Sequence, residues 1–528
     1  MNMLKEIKII GAGLAGTEAA WQLAQGIQAR GLDWRIKLYE MRPKVKTPAH
    51  HTDNLAELVC SNSLGSEFLT TARGVLIHEM QEFDSLIIRA AKEAKVPAGQ
   101  ALAVDRDLFA KVITEAITNH PCIELIREEY CDDLTKEEGI VIVASGPLTS
   151  PHLAENITGL LRSARNDIEF SESPFLHFFD AASPIVSADS IDMDIAFRAS
   201  RYGKGDEGEG KGDYINCPFY SEEEFQKFYD ALMSAERAPL KDFELESMAK
   251  QQLPQFCSNS RPAKSVKAEL TEPSMMTSQD ERNAELGQKG KAVKFFEGCM
   301  PIEAIAERGS QTMCFGPLKP VGLTDPRYPD RRAVAVVQLR QDNVAASLYN
   351  IVGFQTNLKW GEQARVFSMI PGLKNLEILR YGVMHQNIFI NSPLFLNADM
   401  SMRGMGNREK GKGIFFAGQL TGVEGYTESA ATGIIAARSI LEPDAQPLPQ
   451  ETMMGALSHY ISHAEAKHFQ PINSNWGLIN TQPENLEKQY RKNKKLRQEF
   501  LANRALGLIR DSGKYSGKYT GKKLLEIL

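Results

Sequence analysis

No stretch of the 528-residue chain approaches the run of about eighteen apolar residues that a membrane helix needs, although hydrophobic residues make up 42% of it. A membrane-spanning protein is therefore not expected. The start, Met1-Asn2-Met3-Leu4 before an apolar run from Ile7, carries neither a signal-peptide core nor a small-residue cleavage site, which points to the cytoplasm. Seven cysteines (60, 122, 131, 217, 257, 299 and 314) form an odd set without a CxxC pair. That excludes a disulfide framework or a zinc ribbon as the organising device and leaves free thiols and no metal site as the reading. A general excess of positive charge is missing too. The formal net charge is -6, so a nucleic-acid partner has to be held by a local basic surface. One region qualifies: from Thr481 to Leu528 there are 12 Lys/Arg against 5 Asp/Glu, with Lys488, Arg491, Lys492, Lys494, Lys495 and Arg497 crowded together. A solvated helix face has the same composition. There is no internal repeat; Cys-Ser-Asn-Ser at 60–63 recurs at 257–260, but the second copy lies in a polar insertion.

What is present is enough chain for two or three domains. Ile7 to Ile10 reads as a buried strand, Gly11 opens a turn, Thr17 to Gln25 has helical apolar spacing, and Ile36 to Tyr39 supplies a second strand. This is a βαβ start. Gly139 to Val143, ending in Ala144-Ser145-Gly146-Pro147, reads as another parallel strand closing in a small-residue turn. From about Asp167 the chain turns aromatic and mixed, with an acidic helix-like segment around Glu222 to Glu236. Residues 249–294 are polar and basic, the composition of an exposed insertion. Strand-like runs return at Ala333 to Leu339 and Leu348 to Phe354, and Ile414 to Ile440 repeats the strand, turn and helix order of the N-terminus. The pattern predicts an α/β protein with four parts. Residues 1–164 and 366–450 together form a Rossmann-like FAD-binding domain, 165–365 an inserted α+β domain, and 451–528 a helical basic C-terminal region.

Gly11-Ala12-Gly13-Leu14-Ala15-Gly16 satisfies GxGxxG between a predicted strand and a predicted helix. In such a motif the first glycine permits a tight turn, the second admits a pyrophosphate, and the third lets helix and strand pack closely, with free helix N–H groups facing the phosphates. Glu40 ends the second strand, 24 residues beyond Gly16, where an acidic side chain accepts hydrogen bonds from a ribose. The motif alone does not separate NAD from FAD. The second segment, Ile414-Phe415-Phe416-Ala417-Gly418-Gln419 with Gly422, Gly425 and Glu428-Ser429-Ala430-Ala431-Thr432-Gly433, favours FAD, because small residues let a wide ring lie against a helix N-terminus. Ordinary close helix packing also uses such residues.

Several segments jointly resemble one family, the folate- and FAD-dependent tRNA uracil-5-methyltransferases (TrmFO, formerly Gid), with a fold of the GidA/glutathione-reductase type. The resemblance rests on Gly11 to Gly16 with Thr-Glu-Ala-Ala-Trp after it, Tyr39 to Pro43, Thr47 to Asp53 and Leu58-Val59-Cys60-Ser61-Asn62-Ser63-Leu64. It continues through Asp180 to Val186, Phe295-Phe296-Glu297-Gly298-Cys299-Met300-Pro301-Ile302-Glu303, Gly353 to Thr356, Tyr381 to His385 and Gly422 to Tyr426. Residues 249–294 and 400–412 look like insertions relative to the family pattern. The resemblance implies 5-methyluridine formation at position 54 in the T-loop of tRNA. The carbon would come from 5,10-methylenetetrahydrofolate, reduced FAD would carry the methylene and supply the hydride, and NAD(P)H would reduce the flavin. No membrane and no stable protein partner are implied. The same chemistry on ribosomal RNA, a small-molecule flavin oxidoreductase and a non-catalytic RNA-binding flavoprotein are the alternatives.

Uracil C5 is a weak nucleophile, and adding a thiolate at C6 turns the ring into an enolate able to attack a one-carbon electrophile. That needs one exposed, activated cysteine. The residues alone leave Cys299, in Gly298-Cys299-Met300-Pro301, and Cys217, in Asn216-Cys217-Pro218, as rivals; the resemblance assigns the nucleophile to Cys299. Cys60 is the second family cysteine and suits proton transfer at C5 or assistance to the methylene carrier. Cys122, Cys131 and Cys314 read as small hydrophobes. Trp360, Arg380 and His385 are weaker candidates for a pterin pocket, since a flat ring needs an aromatic or imidazole surface.

Overall fold

The computed structural model describes residues 5–47, 49–164, 175–200, 212–238, 300–404, 412–479 and 493–513, excepting the side chains of 177–179, 385, 386, 512 and 513. Its centre is a five-stranded parallel sheet in the order Gly413–Phe416, Ile140–Val143, Lys5–Ile10, Trp34–Tyr39, Ile123–Ile126. Ile7 and Ile9 are fully buried, and so are Val141, Ile142 and Val143 in the strand beside them. Burial on both faces is what a parallel sheet covered by helices demands.

The helix that follows the first strand, Leu14–Arg30, runs longer than its apolar spacing predicts at both ends, and Gly31 closes it in a left-handed turn. Against it lies the helix Tyr426–Leu441. Their contact is close because its residues are small: a methyl group on Gly433 would stand 2.3 Å from the Ala15 carbonyl oxygen, and one on Gly26 would stand 2.3 Å from Leu441 Cδ1. The resemblance between the chain's two glycine-rich segments thus has a spatial reason, since they pack on each other.

A six-stranded sheet follows the order Phe197–Arg198, Tyr214–Phe219, Ala335–Gln341, Leu348–Ile351, Ile185–Ser187, Ile378–Arg380, antiparallel at each pairing. Its apolar face packs on the helix Glu222–Met233 through Phe225, Phe228 and Leu232. This sheet runs past residue 365 to collect its edge strand. Phe175–Ala181 pairs with Met384–Ile390, bringing Asp180 opposite His385 in register. At the C-terminal side, the helix Met453–His463 begins against Glu79, whose carboxylate accepts both the Met453 and Met454 N–H groups. The helix Lys494–Gly513 packs beside the helix Ala72–Glu82, with Arg510 on Glu82 at 2.8 Å. Lys494 and Lys495 are exposed, whereas Lys488, Arg491 and Lys492 of the basic cluster lie outside the described residues. Among the described residues no helix is long and apolar enough to cross a membrane, and no group of three or more His, Cys, Asp or Glu is placed to hold a metal ion.

Candidate functional site

The first strand ends at Ile10, and the backbone turns at Gly11 with φ +99, a conformation that L side chains rarely adopt. Space enforces the same choice: a methyl there would lie 2.6 Å from the Ala144 carbonyl oxygen. One on Gly16 would stand 1.8 Å from the Gly11 carbonyl oxygen, whereas one on Gly13 would meet no protein atom within 4 Å. Two glycines are therefore demanded by packing and the middle one by nothing in the protein. Open space at that position is what a pyrophosphate needs, so the residues fit the cofactor.

Gly11 to Ala15 line a cleft together with Tyr39, Glu40, Ser145, Gly418, Gln419, Tyr426 and Ser429. The helices Leu14–Arg30 and Tyr426–Leu441 both start on it, each after a glycine that supplies no side-chain cap. Uncapped N–H groups from two helices give an anionic ligand its donors. Glu40, nearly fully buried, accepts from Ala12 N–H (3.3 Å) with one oxygen and from Arg42 N–H (3.0 Å) and Nε (2.8 Å) with the other. Oε2, which has a single donor, retains acceptor capacity for a ribose hydroxyl. Arg42 also reaches Glu57 at 3.0 Å, a buried partner that sequence reasoning missed because its role depends on the chain folding back. Gly418 closes the far end, where an added methyl would sit 3.0 Å from Ala15 Cβ, and Gly425, at φ +117, leaves no room beside the Glu428 carboxylate.

Beyond the Tyr426 end lies Cys60. The Tyr426 hydroxyl oxygen accepts the Cys60 N–H (2.9 Å) and the Ser61 N–H (3.0 Å). Burial, and after it the neighbouring Cys60, pushes the Tyr426 phenol above its ordinary value, so it stays protonated. Half-buried, the Cys60 thiol faces the Ala181 carbonyl oxygen at 3.5 Å and Asp180 Oδ1 at 3.8 Å. Arg340 holds the same loop through Asn62 Oδ1 (2.8 Å) and Ser61 Oγ (2.9 Å), and Arg106 through the Leu58 carbonyl oxygen (2.9 Å). Arg380 donates to the carbonyl oxygens of Ala49 and Val59, and Val59 lines the cleft. Burial, followed by the charge of Arg106, lowers the Arg380 pKa.

The remaining candidates divide. Cys299 lies outside the described residues. The segment that follows it does not: Ile302 N–H bonds the Gln355 carbonyl oxygen at 2.7 Å, and the buried Glu303 carboxylate accepts from Thr356 Oγ1 (3.0 Å) and Asn357 N–H (2.6 Å). Two motifs far apart in the chain, Met300 to Glu303 and Gly353 to Thr356, are thus locked to each other. Cys217 is not a nucleophile in this structure. It sits fully buried in the strand Tyr214–Phe219 opposite Val337, and burial pushes its thiol up to about 12. Trp360 is 62% exposed and stacks on Tyr381 with ring centroids 5.2 Å apart. The His385 backbone stands opposite Asp180, and its side chain lies outside the description.

A parallel sheet with a glycine turn, two uncapped helix starts on one cleft and an acidic residue at the second strand end defines a dinucleotide-binding α/β protein. A family model described as Glucose inhibited division protein A (GIDA) matches residues 6–269 and 254–443. The solved structure of Aquifex aeolicus GidA in its form I crystal is similar with a TM-score of 0.56 over 97% of this chain and 78% of that one; at 14% identity the likeness speaks for the fold. The Methylenetetrahydrofolate--tRNA-(uracil-5-)-methyltransferase TrmFO of Brevibacillus brevis is 48% identical over 509 residues, 96% of this chain and 97% of its own. That of Bacillus subtilis is 47% identical over 512 residues, 96% and 98% of the two chains. This chain belongs to the TrmFO family.

Proposed function

We propose that this protein methylates uracil C5 in tRNA with 5,10-methylenetetrahydrofolate as carbon donor and FAD as cofactor. The observation that carries this is identity of 48% with a TrmFO methyltransferase across 96% of the chain, joined to a cleft whose middle glycine is left open by the protein itself. FAD would be held by Gly11, Ala12, Gly13, Leu14, Ala15 and Gly16 at the pyrophosphate, Glu40 at the ribose, and Gly418 and Gly425 at the ring end. When bound and reduced, it supplies the methylene carrier and the hydride. Cys299 adds to C6 of the ring and Cys60 handles the C5 proton; Trp360, Arg380 and His385 are proposed for the folate. The finer substrate is the T-arm uridine at position 54, NAD(P)H is the reductant, the compartment is the cytoplasm, and no stable protein partner is needed. We also propose the division 1–164, 165–365, 366–450 and 451–528.

The test is to incubate FAD-loaded protein with unmodified tRNA, methylenetetrahydrofolate and NADPH and to look for 5-methyluridine by nucleoside mass spectrometry. Cys299→Ala and Cys60→Ala should each lower the yield by about 10² or more. Methyl transfer from S-adenosylmethionine alone removes the folate reading, product on ribosomal RNA alone redirects the substrate, and full activity of Cys299→Ala revives a non-catalytic role for that residue.

A further inference from the structure

The helix Lys494–Gly513 runs alongside the helix Ala72–Glu82 in the same direction, because contacts join like ends. Arg510 meets Glu82 at 2.8 Å at one end; at the other, the Gln498 amide donates to the Thr70 carbonyl oxygen (3.3 Å) and accepts the Trp476 indole N–H (3.1 Å). Leu501, Ala502, Ala505, Leu506 and Ile509 bury the apolar stripe. The first turn is different. Lys494, Lys495 and Arg497 crowd into it, no acid shares it, and both lysines are exposed. Glu499, one turn on, reaches Lys495 at only 3.9 Å. A helix N-terminus carries a partial positive charge, so acids are favoured there and cations are repelled. Asn493 caps the turn with a neutral oxygen, accepting the N–H groups of Lys495 (3.0 Å) and Leu496 (3.2 Å), which leaves the repulsion in place. Solvation alone gives no reason to gather like charge where it costs stability, whereas a polyanionic partner does.

The parallel alignment sets this turn near the cysteine pocket. The helix Ala72–Glu82 starts after Thr71, whose N–H bonds the Phe68 carbonyl oxygen at 2.8 Å, and the chain before it runs back through the strand Ser63–Ser66 to Cys60. In the first turn of that helix, Arg73 bonds Glu428 at 3.0 Å and packs over two glycines. A methyl on Gly65 would stand 1.9 Å from Arg73 Cδ, and one on Gly425, beside the cleft residue Tyr426, 3.3 Å from Arg73 Nη2. The start of the helix Ala72–Glu82 therefore abuts the Gly425 end of the cleft, and the basic turn lies one packed helix further out, about 10 Å. Phe68, in the loop between them and the Cys60 segment, is 49% exposed, and the acid beside it, Glu67, is paired with Lys95 at 2.6 Å. Base chemistry on a folded RNA draws the target out of its stack, and the flanking phosphates then stand around the pocket mouth.

We propose that Lys494, Lys495 and Arg497 form a phosphate-binding surface that holds the tRNA backbone beside the extracted uridine, with Phe68 as a stacking platform for an unpaired neighbouring base. The inference rests on the functional reading above and adds to it where the RNA is gripped. Cations on a rigid helix take phosphates without reading sequence, and an exposed ring next to them takes any base face, so the surface fixes register while the pocket selects the uracil. The chain's net charge of -6 is repulsive to RNA, which makes such a local surface necessary. Arg510 at the far end of the helix is already spent on Glu82, so the grip belongs to the first turn.

The experiment measures binding of an unmodified tRNA transcript to the full-length, FAD-loaded protein across a salt series, with 5-methyluridine formation followed on the same preparations. The triple variant Lys494→Gln, Lys495→Gln, Arg497→Gln should weaken binding by about 10- to 100-fold and lower the slope of log Kd against log salt by about 2, since each lost phosphate contact removes somewhat less than one unit. Flavin occupancy, and kcat at saturating tRNA, should stay at wild-type values. Lys494→Glu should weaken tRNA binding without lowering the urea midpoint, because an acid suits the helix start; a purely structural lysine would give the reverse. Phe68→Ala should weaken binding about tenfold with the salt slope unchanged, the mark of stacking. Wild-type affinity and slope in the triple variant overturn the assignment and leave the surface to an acidic protein; wild-type affinity in Phe68→Ala overturns the part given to the ring. Wild-type protein that binds tRNA but forms no 5-methyluridine strikes the functional reading and leaves the surface standing, whereas wild-type protein that binds no tRNA overturns both.

Discussion

The nucleotide cradle is made chiefly of main chain, whereas the surroundings of Cys60 are made of side chains arriving from five separate segments of the chain. In the cradle, each requirement is local: a turn at Gly11, contact at Gly16, open space at Gly13 and an acid at the end of the next strand. Around Cys60, the Asp180 partner lies 120 residues away and the Tyr426 partner 366. The first arrangement is fixed once a strand and a helix form, and the second exists only when the whole chain has folded. What the difference teaches is where each region is vulnerable. The cradle fails by steric intrusion of a single methyl group, and the cysteine pocket by loss of a hydrogen-bond partner.

The largest effect should come from Gly16→Ala. The new methyl would stand 1.8 Å from the Gly11 carbonyl oxygen, and Gly11 is itself tied by its N–H to the Tyr39 carbonyl oxygen at 2.9 Å, so neither side can yield. The expected cost is about 3 kcal/mol or more, the upper end for overpacking, with most of the flavin lost on purification. Gly13→Ala is its control. Having no protein neighbour within 4 Å, it should leave the apoprotein's unfolding midpoint in urea nearly unchanged while weakening FAD binding about tenfold, since only the ligand meets the methyl. Equal destabilisation of the two apoproteins would break the distinction between packing glycines and ligand glycines.

Tyr426→Phe probes the other region. It removes the oxygen that accepts two N–H groups of the Cys60 loop and leaves both without that partner, a cost of about 1–3 kcal/mol. Methyl transfer should fall by more than flavin occupancy does, because the loop carrying the thiol loosens while the cradle glycines are untouched. Urea unfolding, the flavin absorbance ratio and 5-methyluridine yield, measured on one preparation, check this. A variant that sheds its flavin in proportion to its activity would show that Tyr426 serves the cradle and not the cysteine.

The same contrast explains what is legible in the amino-acid sequence alone. The GxGxxG turn, Glu40 and the late strand–turn–helix were legible because their chemistry is written in neighbouring residues. Even there, the contact of Gly433 with the Ala15 carbonyl oxygen, which joins the two segments, was not, since no local pattern encodes which helices meet. Cys217 misled for the opposite reason. Asn-Cys-Pro imitates the short context of a reactive thiol, but the flanking Ile215 and Phe219 are core residues of a central strand, and burial leaves the thiol inert. Asp180 opens one of the resembling segments, but neither it nor Arg340 carried a signal of its contact, because that contact is with Cys60 and its loop far away in the chain. The edge strand Ile378–Arg380 returns to pair with Ile185–Val186, a crossover that composition does not announce.

The smallest expected effect belongs to Trp360→Ala, and it tests whether the surface beyond the two regions takes any part in either. Trp360 opens the short helix Trp360–Phe367, is 62% exposed and touches Tyr381 face to face, so its removal should change stability by no more than about 0.5 kcal/mol. Flavin occupancy should not move. The chain connects Tyr381 directly to Arg380, which reaches the Val59 carbonyl oxygen on the cleft wall, so a flat ring seated between the cleft and this stack would lose contact with the indole alone. The expected signature is therefore a raised KM for methylenetetrahydrofolate with kcat nearly constant, the mark of an interaction made equally in ground and transition states. An unchanged KM assigns the stacked pair to the surface and leaves Arg380 and His385 to hold the folate; a change in kcat without KM would mean that the stack supports the Cys60 side through Arg380.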